Sequence, residues 1–210
     1  FLSDKRVVSI PRIFWLPLLN GVILPLRCKR VAHAYQSIWF EDGSPLMHYS
    51  LQQQQKLQQL FTDNNLDVTV ELAMTYGERS IAKAIDKLQA AGSQHTIVLP
   101  LYPQYSTTTP APVFDQVASY LQQKFDVPGL SLIKNYHNHP AFIEALAQSV
   151  ETHWEANGRA EKLLLSYHGI PEFLVEKGDI YADHCVGTTK LLAERLKLTD
   201  DAIVHCYQSR

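Results

Sequence analysis

The feature that most limits the fold is an alternation that begins near residue 68. Short apolar runs rich in β-branched residues take turns with longer segments whose apolar residues recur at helical spacing. Residues 68–74 read as a strand. Residues 78–91 carry Ile81, Ala84, Ile85 and Leu88 on one helical face, and Gly92 stops them. A strand is expected over 96–99, a helix over 112–125 and a strand over 130–133. A long helix follows over 140–154, striped by Ile143, Leu146, Val150 and Trp154. Pro140 fits its start, where a missing N–H costs nothing. Residues 163–167, 182–196 and 203–207 continue as strand, helix, strand. Such alternation implies parallel βαβ units with right-handed crossovers.

The first forty residues break this rhythm. Residues 13–19 and 22–26 are strongly apolar but punctuated by Pro17, Gly21 and Pro25. Two readings stand: helices packed on the core, or an apolar lip for a flat hydrophobic ligand that can also touch a membrane surface. The run Gln52-Gln53-Gln54-Gln55 falls in a helix expected over 46–61, as an exposed stretch. Hydrophobic content of 46% with 19% charge is ordinary for a globular chain of 210 residues. A net charge of -2 gives no reason to expect nucleic acid as a partner. Cys28, Cys185 and Cys206 are too few and scattered for a disulfide framework or zinc knuckle, so a reducing cytoplasm fits. No run approaches the roughly 20 apolar residues that cross a bilayer. Neither a Gly-x-Gly-x-x-Gly pattern nor a P-loop is present, which argues against a nucleotide enzyme.

Chemistry concentrates in Ser166-Tyr167-His168-Gly169-Ile170-Pro171, directly after the apolar run Leu163-Leu164-Leu165. Gly169 and Pro171 stop the strand, so His168 sits at its C-terminal end, the edge where open α/β sheets bind ligands. An imidazole there can exchange a proton near neutral pH or bind a metal; the bland alternative is a hydrogen-bonded structural histidine. Ser166 shares a face with His168, but the sharp elbow of a serine nucleophile is absent. His137-Asn138-His139 reads as a loop capping the helix at Pro140 rather than a metal pair. His184 and Cys185 should point to different sides of their helix, and Cys206 reads as a small core residue.

Further blocks add to this one: Phe1-Leu2-Ser3-Asp4, Gly43-Ser44-Pro45-Leu46, Leu99 through Thr109 with Tyr102-Pro103-Gln104-Tyr105-Ser106, Gly178-Asp179-Ile180-Tyr181, and Tyr207-Gln208-Ser209-Arg210. In this order and spacing the chain resembles the ferrochelatases, most closely the proteobacterial type. The resemblance implies a chelatase-like α/β fold of two Rossmann-like domains, with parallel sheets flanked by helices. Residues 1–157, with the apolar lip, would form the first domain. Residues 158–210 would begin an incomplete second one, after the polar turn Glu155-Ala156-Asn157-Gly158. It implies insertion of ferrous iron, as substrate, into protoporphyrin IX, the last step of haem synthesis, with no organic cofactor. By the same resemblance the chain looks cut at both ends, with the family's catalytic Glu expected downstream of Arg210.

The resemblance also assigns residues. It identifies His168 with the active-site histidine, as proton acceptor or metal ligand; the sequence leaves both roles open. Arg27, Tyr35 and Ser44 match positions lining the porphyrin cleft, where Arg27 could pair with a propionate. Tyr76 is retained in a segment that often has Arg before the Tyr; Thr75 stands here instead. Gln104, Ser106 and Thr108 offer amide and hydroxyl groups at a strand's end. A related chelatase for another metal or tetrapyrrole, and a non-catalytic tetrapyrrole-binding protein, are the alternatives.

Overall fold

The computed structural model describes every residue except Phe1, Val7, Ser9, Asp42 and Arg210, so the ends of the first and last sequence blocks lie outside the described residues. The chain groups into two compact units. One comprises Phe1–Ile97 with Pro112–Ser131, the other Val98–Ala111 with Leu132–Arg210.

The first unit opens with α1 (Arg12–Leu18), a π-helical turn at Leu19–Ile23 and α2 (Leu24–Gln36). Pro17 lies inside α1 and Pro25 in the first turn of α2. Proline removes a donor from the helical ladder, and a wide turn is one way to re-register it. Leu19 is buried, while Ile13, Phe14 and Leu26 are each more than 70% exposed. These helices therefore show part of their apolar side chains to the surface.

Helix α3 (Pro45–Asp63) starts at Ser44, whose Oγ accepts the Met47 amide at 3.2 Å. Such a cap stabilises a helix by about 1 kcal/mol. The segment after α3 departs from expectation. Residues 68–73 form no strand, and Met74 makes only an isolated parallel bridge to Ser80. Glutamine side chains supply the partners a neighbouring strand would have given. Gln58 donates to the Val68 carbonyl at 2.9 Å and accepts the Val70 amide at 2.8 Å. Gln54 donates to the Val70 carbonyl at 2.8 Å. The glutamine run is thus only partly a solvated face. Next come α4 (Ile81–Ala90), β1 (His95–Val98), α5 (Pro110–Leu121) and β2 (Gly129–Leu132). Strands β1 and β2 pair in one sheet. Ile81, Ala84 and Ile85 of α4, and Val113, Val117 and Leu121 of α5, are buried at the predicted helical spacing.

In the second unit, α6 (Pro140–Asn157) begins at His139, whose Nδ1 accepts the Ala141 amide at 3.3 Å. The His137–His139 loop caps this helix as expected. Strand β3 (Leu163–His168) is followed by α7 (Glu172–Glu176), α8 (Tyr181–Leu196) and β4 (Ile203–Gln208). Strands β3 and β4 pair in parallel, Leu163 opposite Ile203 and His168 opposite Gln208. Ala147, Leu192 and Leu196 form a core against which Leu146, Val150, Trp154, Leu163 and Leu165 pack. Arg195 of α8 ties that packing to α6, gripping Glu144 at 2.6 and 2.8 Å and Glu151 at 2.9 Å.

Candidate functional site

Strand β3 sorts its residues by parity. Leu163, Leu165 and Tyr167 face the helices, and Leu164, Ser166 and His168 show on the other face. Leu164 is 61% exposed, an unusual surface for a leucine in the middle of a strand. His168 ends this open row at the C-terminal edge of the sheet. Beyond it the Gly169 amide donates to the Gln208 carbonyl at 2.7 Å. A Cβ on Gly169 would lie 3.1 Å from that oxygen and 3.2 Å from the Ser209 carbonyl. Glycine is therefore what lets the chain turn this close to the end of β4.

The enclosed side of the sheet carries a polar network. Tyr167 Oη and His205 Nδ1 both meet Thr189 Oγ1, at 3.1 and 2.8 Å. Cys185 is fully buried, and burial pushes its thiol up to about 11. Burial also raises the Tyr181 hydroxyl well above its ordinary range. The backbone at His168 is held by its pairing with Gln208 of β4. Cys185, rather than Cys206, is the enclosed cysteine; Cys206 is half-buried.

The loop after β1 is held in the same unit. Ser106 is buried, and its Oγ donates to Asp179 Oδ2 at 2.9 Å and meets Thr108 Oγ1 at 2.9 Å. Thr107 donates to the same carboxylate oxygen from its amide and its hydroxyl, both at 2.7 Å. Asp179 Oδ1 accepts the Tyr181 amide at 2.9 Å. Burial pushes the Asp179 carboxyl up, and the hydrogen bonds from Thr107, Tyr181 and Ser106 outweigh it, so the group lies below its ordinary value. Gln104 Nε2 donates to Thr188 Oγ1 at 3.1 Å, and the Tyr105 amide to His184 Nδ1 at 3.1 Å. The His184 and His137 rings stack with centroids 3.7 Å apart.

Of the site residues read from sequence, Gln104, Ser106 and Thr108 are therefore linked through residues 179–188, while His168 follows Tyr167, which meets Thr189 of the same helix. In the first unit, Arg27 is exposed on α2. Tyr35 is 54% exposed and packs edge-on to Trp39, Ser44 caps α3, and Tyr76 donates to Asp4 Oδ2 at 2.8 Å. Among the described residues, no three His, Cys, Asp or Glu side chains gather into a group that could hold a metal ion. Reasoning from sequence missed Asp179 and Thr107 as organisers, although the Gly178-Asp179 pair was the available signal. Gly178 has φ +95°, a conformation that favours glycine and sets up the turn into Asp179.

Comparison with known proteins agrees with this architecture. The solved structure of SirB from Bacillus subtilis with Fe3+ superposes with a TM-score of 0.52 at 16% identity, covering 75% of this chain and 60% of that one. That likeness shows the chelatase-like α/β fold. Ferrochelatase of Aliivibrio fischeri is 51% identical over 210 residues, that of Vibrio cholerae 50% and that of Klebsiella pneumoniae 49%. All of this chain is covered, and it spans 64% of the length of each of these relatives. Among the described residues no helix is long and apolar enough to cross a membrane. The sequence model of the ferrochelatase family matches residues 1–210, the whole of the chain, and with identities near one half this protein belongs to that family.

Proposed function

We propose that the complete protein inserts ferrous iron into protoporphyrin IX to form haem. The observation that carries this reading is an exposed His168 at the C-terminal edge of β3, in a chain that belongs to the ferrochelatases. Metallation requires two pyrrole protons to leave and a metal to shed water at the ring centre. A histidine at a sheet edge, braced through its backbone, can take such a proton or hold the incoming iron. In the first unit Arg27 pairs with a propionate, Tyr35 supplies an aromatic wall, and Ser44 and Tyr76 offer polar contacts; in the second, Gln104 offers its amide. Exposed Ile13, Phe14 and Leu26 supply the lip, and the same surface can meet a membrane from a cytoplasmic position. On this reading residues 1–157 are most of a first domain and 158–210 begin a second. Ferrous iron is a substrate and no organic cofactor is needed.

The test is zinc or ferrous insertion into protoporphyrin by the full-length protein and its His168→Ala variant. Losing a positioned base costs about 10²–10⁴-fold in rate. Near-normal metallation by the variant would remove His168 from the chemistry. Wild-type protein that binds porphyrin without metallating it would favour the non-catalytic binder.

A further inference from the structure

Asp179 occupies a place that the reading above leaves unused. The residue is only 5% exposed, and its carboxylate accepts four hydrogen bonds. Three come from Ser106 and Thr107, in the loop after β1, onto one oxygen. The fourth comes from the Tyr181 amide onto the other. Tyr181 opens α8, and further along that helix Thr189 Oγ1 lies 3.1 Å from the hydroxyl of Tyr167, the residue before His168. One buried side chain therefore ties the 104–108 loop to the start of the helix that holds the end of β3.

We propose that Asp179 is a positioning residue for metallation. It holds the 104–108 loop in register with His168, and Ser106 and Thr107 serve as its hydrogen-bond donors rather than as substrate contacts. The inference rests on the proposed activity and changes its residue assignments. Ser106 has only 1% of its surface exposed, and its hydroxyl is already engaged by Asp179 and Thr108. Gln104 and Thr108 are half-buried, so unlike Ser106 they keep part of their side chains accessible to a ligand. The device is local and specific. A carboxylate accepts at both oxygens, whereas an amide of the same shape must turn an N–H₂ toward one set of donors.

The experiment is a double-mutant cycle in the full-length protein with Asp179→Asn and Ser106→Ala, read by zinc insertion and by amide hydrogen exchange. Asp179→Asn is expected to lower kcat about 10- to 100-fold, the scale of a small misplacement, with a smaller change in KM for protoporphyrin. Exchange should accelerate at the Thr107 and Tyr181 amides. Ser106→Ala should slow the wild type but add nothing in the Asp179→Asn background, because the two act as one unit. A full, independent Ser106→Ala effect in that background would return Ser106 to the substrate. A lowered melting temperature with unchanged kcat and KM would reduce Asp179 to a structural role, and overturn the proposal. If Asp179→Asn does not fold, Thr107→Val removes one donor and keeps the carboxylate. It should reproduce the faster exchange at Tyr181, and unchanged exchange there would also overturn the proposal. Were the wild type inactive, the proposed activity would fail while the exchange measurements still decided whether the latch exists.

Discussion

Gly169 shows how one missing methyl group can matter beside His168. The built Cβ meets two backbone carbonyl oxygens at 3.1 and 3.2 Å, and backbone yields less readily than the end of a flexible side chain. Gly169→Ala must therefore push the Gln208–Ser209 strand end away or rotate the turn that follows His168. Either movement weakens the 2.7 Å hydrogen bond from the Gly169 amide to Gln208. The expected outcome is a stability loss of about 1–3 kcal/mol, the usual range for overpacking. Metallation should also slow in a protein that still unfolds cooperatively. Urea unfolding beside a zinc-insertion assay checks both, and unchanged values in both would mean that the strand end adjusts freely. The sequence showed Gly169 as a strand stop, which is correct. It could not show the close approach, because that depends on where β4 ends in space.

At the scale of elements, the stacked pair His137 and His184 joins the loop before α6 to the first turn of α8. Burial lowers both imidazoles below their ordinary value. For His184 the neighbouring His137 and Lys134 lower it further, and Asp183 and Asp179 oppose them. His184 also accepts the Tyr105 amide through Nδ1, a bond that protonation at that nitrogen destroys. The fold therefore favours neutral rings, and the unfolded chain binds more protons as the pH falls through the ordinary histidine value near 6.5. Stability from this pair is full above that value and is lost on acidification toward the lowered values of the folded state. Melting temperature should fall between about pH 8 and 5, and the slope should shrink in His184→Gln. An identical slope in the variant would assign the loss to other groups, such as His205, which burial also lowers. The stack lay beyond the sequence, since its members lie far apart in the chain and no local pattern pairs them. By contrast α4, α5, α6 and α8 were legible, because their stripes are local and periodic. The strand expected over 68–74 was misread for a related reason. Its β-branched composition is real, but glutamine side chains of α3, instead of a neighbouring strand, take its backbone hydrogen bonds.

For the molecule as a whole, the decisive observation is how much apolar surface remains uncovered. Ile13, Phe14, Leu26 and Leu46 are each at least 70% exposed, and Leu164 is 61% exposed in the middle of β3. Monomeric proteins rarely tolerate large contiguous apolar patches, and a two-stranded sheet is marginal without cover on its open side. One face of β3 rests on Leu192, Leu196 and their neighbours, while the face bearing Leu164, Ser166 and His168 is open. The chain spans 64% of the length of its ferrochelatase relatives. Residues 1–210 expressed alone are therefore expected to bind a hydrophobic dye, to associate with increasing concentration and to metallate protoporphyrin far more slowly than a full-length ferrochelatase. Hydrogen exchange should be fast at the exposed residues of β3 and slow in α8, whose Leu192 is 1% exposed. Sedimentation, dye fluorescence and zinc insertion measured side by side make the comparison. A monomeric, dye-silent preparation with full activity and strong protection throughout β3 and β4 would show that these residues suffice. The open face would then have to be the porphyrin surface itself rather than a surface awaiting cover.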